Sequence, residues 1–146
     1  MSFTLPITVY YEDTDALGIV YNANYLKFFE RARTDWLRHI GIEQSDLLKS
    51  QVGFAVVSAN IRFKKAAKLD DQLVVSVTLK QLRRASLLFF QKVVFKDNER
   101  VAAEAEVKIG CISPQLMKPR PVPQDIRDQL IQFLDNASHE KINEND

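Results

Sequence analysis

Three carboxylates, Glu12, Asp13 and Asp15, lie directly before a long helical pattern. A carboxylate there could attack a carbonyl carbon or activate water, while the free N–H groups and positive dipole of a helix N-terminus stabilise developing negative charge. Asp and Asn before a helix also serve as caps and Asx-turns, so a purely structural loop remains open. Asp15, nearest the helix, is the candidate for chemistry; we expect Glu12 to be solvated and Asp13 to be a turn former or structural acceptor.

Other chemistries find little support in the sequence. In a calcium-binding loop that begins at Asp13, the last position requires a bidentate glutamate, but this chain has Asn24 there, so the pattern does not fit. His39, His139 and Cys111 do not have the spacing of a zinc site, and Cys111 is in phase with the buried side of its strand. A G-x-S-x-G turn and a glycine-rich phosphate loop are both missing. We therefore predict neither a metal nor a cofactor.

Composition narrows the class of protein. The 146 residues fit one domain with a core of its own, and the single cysteine excludes an internal disulfide. A net charge of +1 gives no basic field for nucleic acid, and no apolar run is long enough to span a membrane. With no signal-peptide pattern at the start, we expect a cytoplasmic protein.

The elements around the acidic loop follow from hydrophobic periodicity. Alternation over residues 5–11 predicts a strand that runs into the loop. Apolar residues then recur at helical spacing, which predicts a long helix with Asn22 as N-cap and Gly41 as the left-handed C-terminal residue. A short helical turn follows from Ser45.

Period-two patterns after Gly53 predict four long strands in an antiparallel meander, over residues 55–64, 69–81, 85–96 and 101–113, with a C-terminal helix over residues 121–136. Residues 85–96 are apolar on both faces and should form a central strand. One helix and one curved sheet that bury each other's apolar faces make an α+β fold. We expect one domain over residues 1–136 and a polar, disordered tail over residues 137–146.

The segment "VYYEDTDALGIVYNANYLKFFERART" resembles the signature of hotdog-fold acyl-CoA thioesterases of the 4-hydroxybenzoyl-CoA thioesterase superfamily, and within it the Tol-Pal-associated YbgC-type subfamily. The segments "LDDQLVVSVTLKQLRRASLLFFQ", "AEAEVKIGCIS" and "MKPRPVP" resemble it as well. The resemblance implies a curved five-stranded antiparallel sheet wrapped around a long central helix, in homodimers or homotetramers. It also implies that Asp15 acts as nucleophile or general base and that a backbone N–H near Asn22 binds the carbonyl oxygen.

One residue departs from the subfamily pattern. Its members usually have V-Y-H-x-x-Y, and this chain has Asn22 in place of the histidine. A backbone N–H contribution would survive the change, whereas a titrating imidazole would be lost together with about 10²- to 10⁴-fold of acid–base assistance. The sequence leaves these two consequences open.

Candidate substrate contacts fall into two groups. Basic and hydroxyl side chains at predicted strand ends could bind the phosphates of coenzyme A, although such residues also occur as ordinary solvated sheet edges: Arg83, Arg84, Ser86, Lys118 and Arg120. Aromatic residues near the helix start could line an acyl tunnel, although core packing is their commoner role and is expected for Phe29: Tyr21, Tyr25, Phe28 and Phe29. Gly18 and Val20 of the motif complete the candidate substrate contacts.

We therefore predict hydrolysis of an acyl-CoA thioester to free acid and coenzyme A. A hotdog hydratase would need a histidine beside an acid in the cleft, and neither histidine is so placed. The non-enzymatic alternative is a hotdog that binds acyl-CoA or acyl carrier protein as a scaffold near envelope or phospholipid-synthesis machinery. Acyl length, dimer against tetramer, and the exact role of Asp15 do not follow from the sequence.

Overall fold

The computed structural model describes residues 3–135 and the backbone of residues 142–143. Its elements, in chain order, are β1 (Phe3–Thr8), a 3₁₀ turn (Tyr11–Asp13), α1 (Asn24–His39), α2 (Gln44–Lys49), β2 (Gly53–Phe63), β3 (Gln72–Arg83), β4 (Ser86–Phe95), β5 (Val101–Ser113), β6 (Lys118–Pro119), α3 (Gln124–Ile131) and β7 (Ile142–Asn143). The elements over residues 44–113 were predicted to within three residues at each end. The predicted tail lies outside the described residues except for β7.

The strands form one sheet in the order β1-β3-β4-β5-β2, with β6 on β5 and β7 on β3. The central position predicted for residues 85–96 is confirmed, because β4 lies between β3 and β5. The simple meander is wrong in one place: β2 pairs with β5, not with β3. The connection from Phe63 to Gln72 is long enough to carry the chain from the edge strand β2 into the sheet. Two short strands extend the predicted five, which gives seven among the described residues.

Helix α1 begins one residue later than predicted. Ala23 is its N-cap residue and no side chain caps the end, so the prediction of Asn22 as N-cap is wrong. The chain forms a turn there instead, in which the Asn24 N–H donates to Tyr21 O. The predicted C-terminal residue of α1, Gly41, is confirmed. Gly41 has φ of +93°, and the Gly41 and Ile42 N–H groups donate to Arg38 O and Leu37 O, as in a Schellman motif.

The apolar side of the 16-residue helix α1 packs on the sheet. Buried helix residues include Tyr25, Phe28, Phe29, Ala32 and Trp36, and the facing sheet residues include Val75, Leu79, Leu87, Phe89 and Val93. Two polar residues, Arg33 and Gln91, are buried among them. This packing fixes the N-terminal end of α1, and with it the acidic loop, against the sheet.

The C-terminal helix α3 is shorter than the predicted residues 121–136. It contributes Ile126 and Leu130 to the core. The chain then turns, and Leu134 forms a bridge to Leu79 on the edge of β3 that β1 leaves free. No helix in the described part of the chain has the length and apolar character needed to cross a membrane.

Candidate active site

Asp15 lies in a tight hairpin whose two sides are joined by the bridge between Thr14 and Val20. The Asp15 N–H donates to Ile19 O, and the Gly18 N–H donates to Asp15 O, both at 2.9 Å. Gly18 has φ of +77°, and a Cβ there would meet no atom within 4 Å, so the loop needs glycine for its conformation and not for space.

The carboxylate of half-buried Asp15 is oriented by its own loop. Its Oδ1 accepts a hydrogen bond of 2.9 Å from the Leu17 N–H, as in an Asx-turn. Oδ2 has no hydrogen-bond partner among the described residues. The Asx-turn that sequence reasoning offered as a structural alternative is therefore present, and it leaves one carboxylate oxygen available to a ligand.

Asp13 fastens this loop to the helix. The residue is only 7% exposed, and its carboxylate accepts from the Tyr10 N–H and from Asn24 Nδ2, both at 2.8 Å. The Tyr21 N–H also donates to Asp13 O across the hairpin. Asp13 is thus the structural acceptor that we expected, and Glu12 is exposed. Sequence reasoning missed Asn24, whose side chain makes the contact across the loop.

Two backbone N–H groups stand free at the start of α1. The first N–H groups of the turn find acceptors, since Asn24 donates to Tyr21 O and Leu26 to Ala23 O. The N–H groups of Asn22 and Ala23 donate to no acceptor among the described residues, and both residues are exposed. Free N–H groups at a helix N-terminus can bind an anionic or polarised oxygen.

The predicted acyl contacts divide by exposure. Gly18 and Tyr21 lie at the surface, whereas Val20 and Tyr25 belong to the core. Tyr25 is 3% exposed, and its ring lies 5.8 Å from that of Phe28 and 5.7 Å from that of Phe63. Burial raises the pKa of the Tyr25 hydroxyl, a shift that the backbone of Ala67 opposes. Val20 and Tyr25 hold the loop in place, and only Gly18 and Tyr21 face outward.

The basic candidates gather at the other end of the sheet. Arg84 is exposed at the β3–β4 turn, and its carbonyl accepts from the Val122 N–H, which draws the 118–122 segment against this turn. Arg120 Nη1 donates to Gln51 O at 3.0 Å, next to the start of β2. Arg83, Ser86 and Lys108 line a cavity of about 190 Å³ on this side. Lys118 is exposed in β6.

The acidic loop and the basic residues are therefore far apart within one chain. The loop contacts the residues that precede β3, through the bridge between Ile19 and Lys68 and through the Val20 N–H on Ala67 O. Arg83 ends the 12-residue strand β3, so the whole length of that strand, roughly 36 Å along an extended chain, lies between the loop and Arg83. One protomer does not bring the two predicted groups of residues together.

A curved antiparallel sheet packed on one main helix, with a carboxylate loop ahead of the helix N-terminus, defines a protein of the hotdog thioesterase class. The chain belongs to the thioesterase-like superfamily, whose family model matches residues 9–130. The recognition made from the sequence, and with it the prediction of a thioesterase, is confirmed.

Individual relatives agree with this assignment. The chain is 43% identical to the acyl-CoA thioester hydrolase YbgC of Escherichia coli O6:H1 over 124 residues, which cover 85% of this chain and 92% of the relative. It is 42% identical to the acyl-CoA thioesterase YbgC of Haemophilus influenzae, and the match covers 86% of this chain and 91% of the relative. The crystal structure of Slr0204, a 1,4-dihydroxy-2-naphthoyl-CoA thioesterase from Synechocystis, shares the fold at a TM-score of 0.82 and 24% identity, with 89% of this chain and 96% of that chain covered.

Proposed function

We propose that the chain hydrolyses acyl-CoA thioesters to free acid and coenzyme A, with Asp15 as the reacting carboxylate. The observation that carries this proposal is the free Oδ2 of Asp15 on a hairpin that ends at a helix N-terminus with two free N–H groups. The relatives named acyl-CoA thioester hydrolase support the substrate class. The remaining contacts of Asp15 and Asp13 hold this hairpin in one conformation.

The bond-breaking step needs only the Asp15 carboxylate and the two free N–H groups. As a nucleophile, Asp15 would attack the thioester carbon, expel the coenzyme A thiolate and form a mixed anhydride that water then hydrolyses. As a general base, it would take a proton from a water molecule that attacks the same carbon. In both routes the Asn22 and Ala23 N–H groups would stabilise the oxyanion. Asn22 acts through its backbone in this scheme, so the missing histidine is tolerated.

The complete site requires a second copy of the chain. Strand β2 bonds to β5 on one side only, and its other edge has no strand partner among the described residues. Exposed apolar side chains lie along it, among them Val56, Val57 and Phe63. A long edge strand of this kind is a template for pairing with another chain. We infer an antiparallel β2–β2 homodimer, which the resemblance also implies.

Antiparallel pairing of two β2 strands would bring the acidic loop of one protomer close to the basic residues of the other. The Phe63 end of β2 lies beside Tyr25 and the acidic loop, and the Gly53 end lies beside Gln51 and Arg120. Pairing β2 with its copy places the first end of one protomer against the second end of the other. The coenzyme A phosphates would then be bound by Arg83, Arg84, Ser86, Lys118 and Arg120 of the second copy.

Thiol release from a panel of acyl-CoA esters, short, long and aromatic, tests the activity. Hydrolysis by the wild type that is lost in Asp15→Asn and kept in Glu12→Gln is the expected result, because Glu12 is an exposed neighbour outside the proposed site. Tight binding of acyl-CoA without turnover would refute the hydrolase and favour the scaffold alternative that Asn22 raised. Cytoplasmic location, assembly into tetramers, acyl carrier protein as partner and association with the Tol-Pal system remain predictions.

A further inference from the structure

Arg33 is a buried cation with a neutral partner. It is 8% exposed, and its Nη1 donates to Gln91 Oε1 at 2.9 Å. Gln91 is fully buried on β4, where its Nε2 donates to Phe29 O of the helix at 3.0 Å. Burial lowers the pKa of Arg33 from its ordinary value, and the charge of Glu30 opposes the shift. An arginine stays protonated under such conditions, so the charge is permanent.

The charge of Arg33 has no ion pair in the described part of the chain. Buried charges are costly unless they are paired, and a guanidinium offers five N–H donors, of which one bonds to a described residue. Glu30, one turn earlier on α1, is exposed, and its Oε2 accepts from Thr34 Oγ1. The geometry leaves donors of Arg33 open to an anionic oxygen from outside the chain.

A cavity lies beside this guanidinium. It has a volume of about 110 Å³ and lies between α1, α2 and the inner face of the sheet. The apolar floor of the cavity includes Leu87, Phe89 and Ile109. The mouth is formed by Glu30 and Val56, the two exposed residues of the lining. A cavity of roughly 150 Å³ holds a benzene molecule, so this one has room for a short carbon chain.

We propose that the cavity binds a short aliphatic carboxylate, with the carboxylate on Arg33 and the carbon chain against the floor. Charge-assisted bonds from a guanidinium to a carboxylate are strong and directional, and the burial of Arg33 reduces the screening of its charge by solvent. Two sources share this chemistry: a free carboxylic acid, or the distal carboxylate of an acyl group bound as thioester. The second source rests on the proposed function, since Phe54 and Val56 lie at the end of β2 that faces the second copy's acidic loop.

Calorimetric titration of the full chain with butyrate and with butyramide tests the site without any hydrolysis. Butyrate should bind at least about tenfold more tightly, because both compounds can accept a hydrogen bond from Arg33 but only butyrate brings a negative charge to its cation. The preference should vanish in Arg33→Met and persist in Arg31→Met, an exposed cation of the same helix. Equal affinity for the two compounds, or no saturable binding of butyrate, would overturn the proposal.

A second pair of variants keeps the test independent of the folding of Arg33→Met. Thr34→Trp should fill the cavity and abolish butyrate binding, whereas Arg31→Trp, exposed on the same helix but outside the lining, should leave it intact. Butyrate binding that survives Thr34→Trp would contradict the assigned site.

The two sources are separated by kinetics. If a distal carboxylate of the acyl group occupies the cavity, the kcat/KM of glutaryl-CoA relative to pentanoyl-CoA should fall in Arg33→Met. If a free acid is the occupant, this ratio should stay unchanged while butyrate binding is lost. A protein that binds butyrate but hydrolyses no thioester would refute the proposed function and leave this inference standing.

Discussion

Mixing two inactive or weakened variants tests whether the site is shared between protomers. Asp15→Asn removes the carboxylate that we propose to react, and Arg84→Glu reverses an exposed charge at the opposite end of β3. Arg84 makes its described contact through its main-chain carbonyl, so the substitution spares the hydrogen bond from Val122. The two variant proteins are unfolded together, refolded and assayed for thiol release at low acyl-CoA concentration.

The expected recovery follows from the geometry. The two positions lie at opposite ends of the 12-residue strand β3 within a chain, so the proposed antiparallel dimer would put each Asp15 near the Arg84 of the other copy. Every mixed dimer then has one site with both substitutions and one with neither. Random pairing makes about half of the dimers mixed, so the mixture should show about one quarter of the wild-type activity.

The alternative predicts a different number. If Asp15 and Arg84 served the same site within one protomer, every site of a mixed dimer would carry one substitution. With about a tenfold loss from Arg84→Glu, the mixture would show only about one twentieth of the wild-type activity. Arg100→Glu, an exposed charge at the same end of the sheet as Asp15, is the control and should not weaken hydrolysis. Recovery near the lower figure would refute the composite site.

Three further outcomes check the loop. Asp13→Ala should lower the free energy of unfolding by about 1–3 kcal/mol in chemical denaturation, because it leaves Asn24 Nδ2 and the Tyr10 N–H without their acceptor; equal stability of Asp13→Ala and Glu12→Ala would contradict its structural role. Gly18→Ala should cost about 1 kcal/mol through the positive φ and lower kcat, and an unchanged kcat would show that the loop conformation is irrelevant to catalysis. Asn22→His should change kcat less than about threefold if the backbone N–H is the group that acts, so a rise of 10²-fold with a new pH dependence would establish side-chain catalysis instead.

Local rules predicted the elements well because each has one buried face. Period-two alternation reflects side chains that point to opposite faces of a strand, and it located β2 to β5. Gly41 was predicted correctly as the C-terminal residue because only its backbone conformation matters there. Asn22 was wrong as a cap, because Asn24 could begin the helix equally well and its side chain pairs with Asp13.

Pairings over long distances were beyond such rules. The pattern of β2 does not say whether β3 or β5 is its neighbour, since both partners bury the same face. For the same reason, the sequence predicted that the basic residues lie at strand ends, but it could not show that these ends are on the side of the sheet opposite Asp15. The distance between the two groups is a property of the topology, and it is what turns a list of candidate residues into an expectation of a second protomer.

Arg33 and Gln91 show a signal that the sequence did contain. Gln91 interrupts the apolar run "LLFFQKVVF" in phase with Phe89 and Val93, and Arg33 lies four residues after the buried Phe29. A polar residue on the inner phase of a central strand requires a partner, and a long cation on the adjacent side of the helix is able to supply it. The pair was overlooked because amphipathic patterns assign residues to faces one element at a time. A polar residue in an apolar phase is therefore best interpreted together with the element that must pack over it, and here that combination marks the cavity.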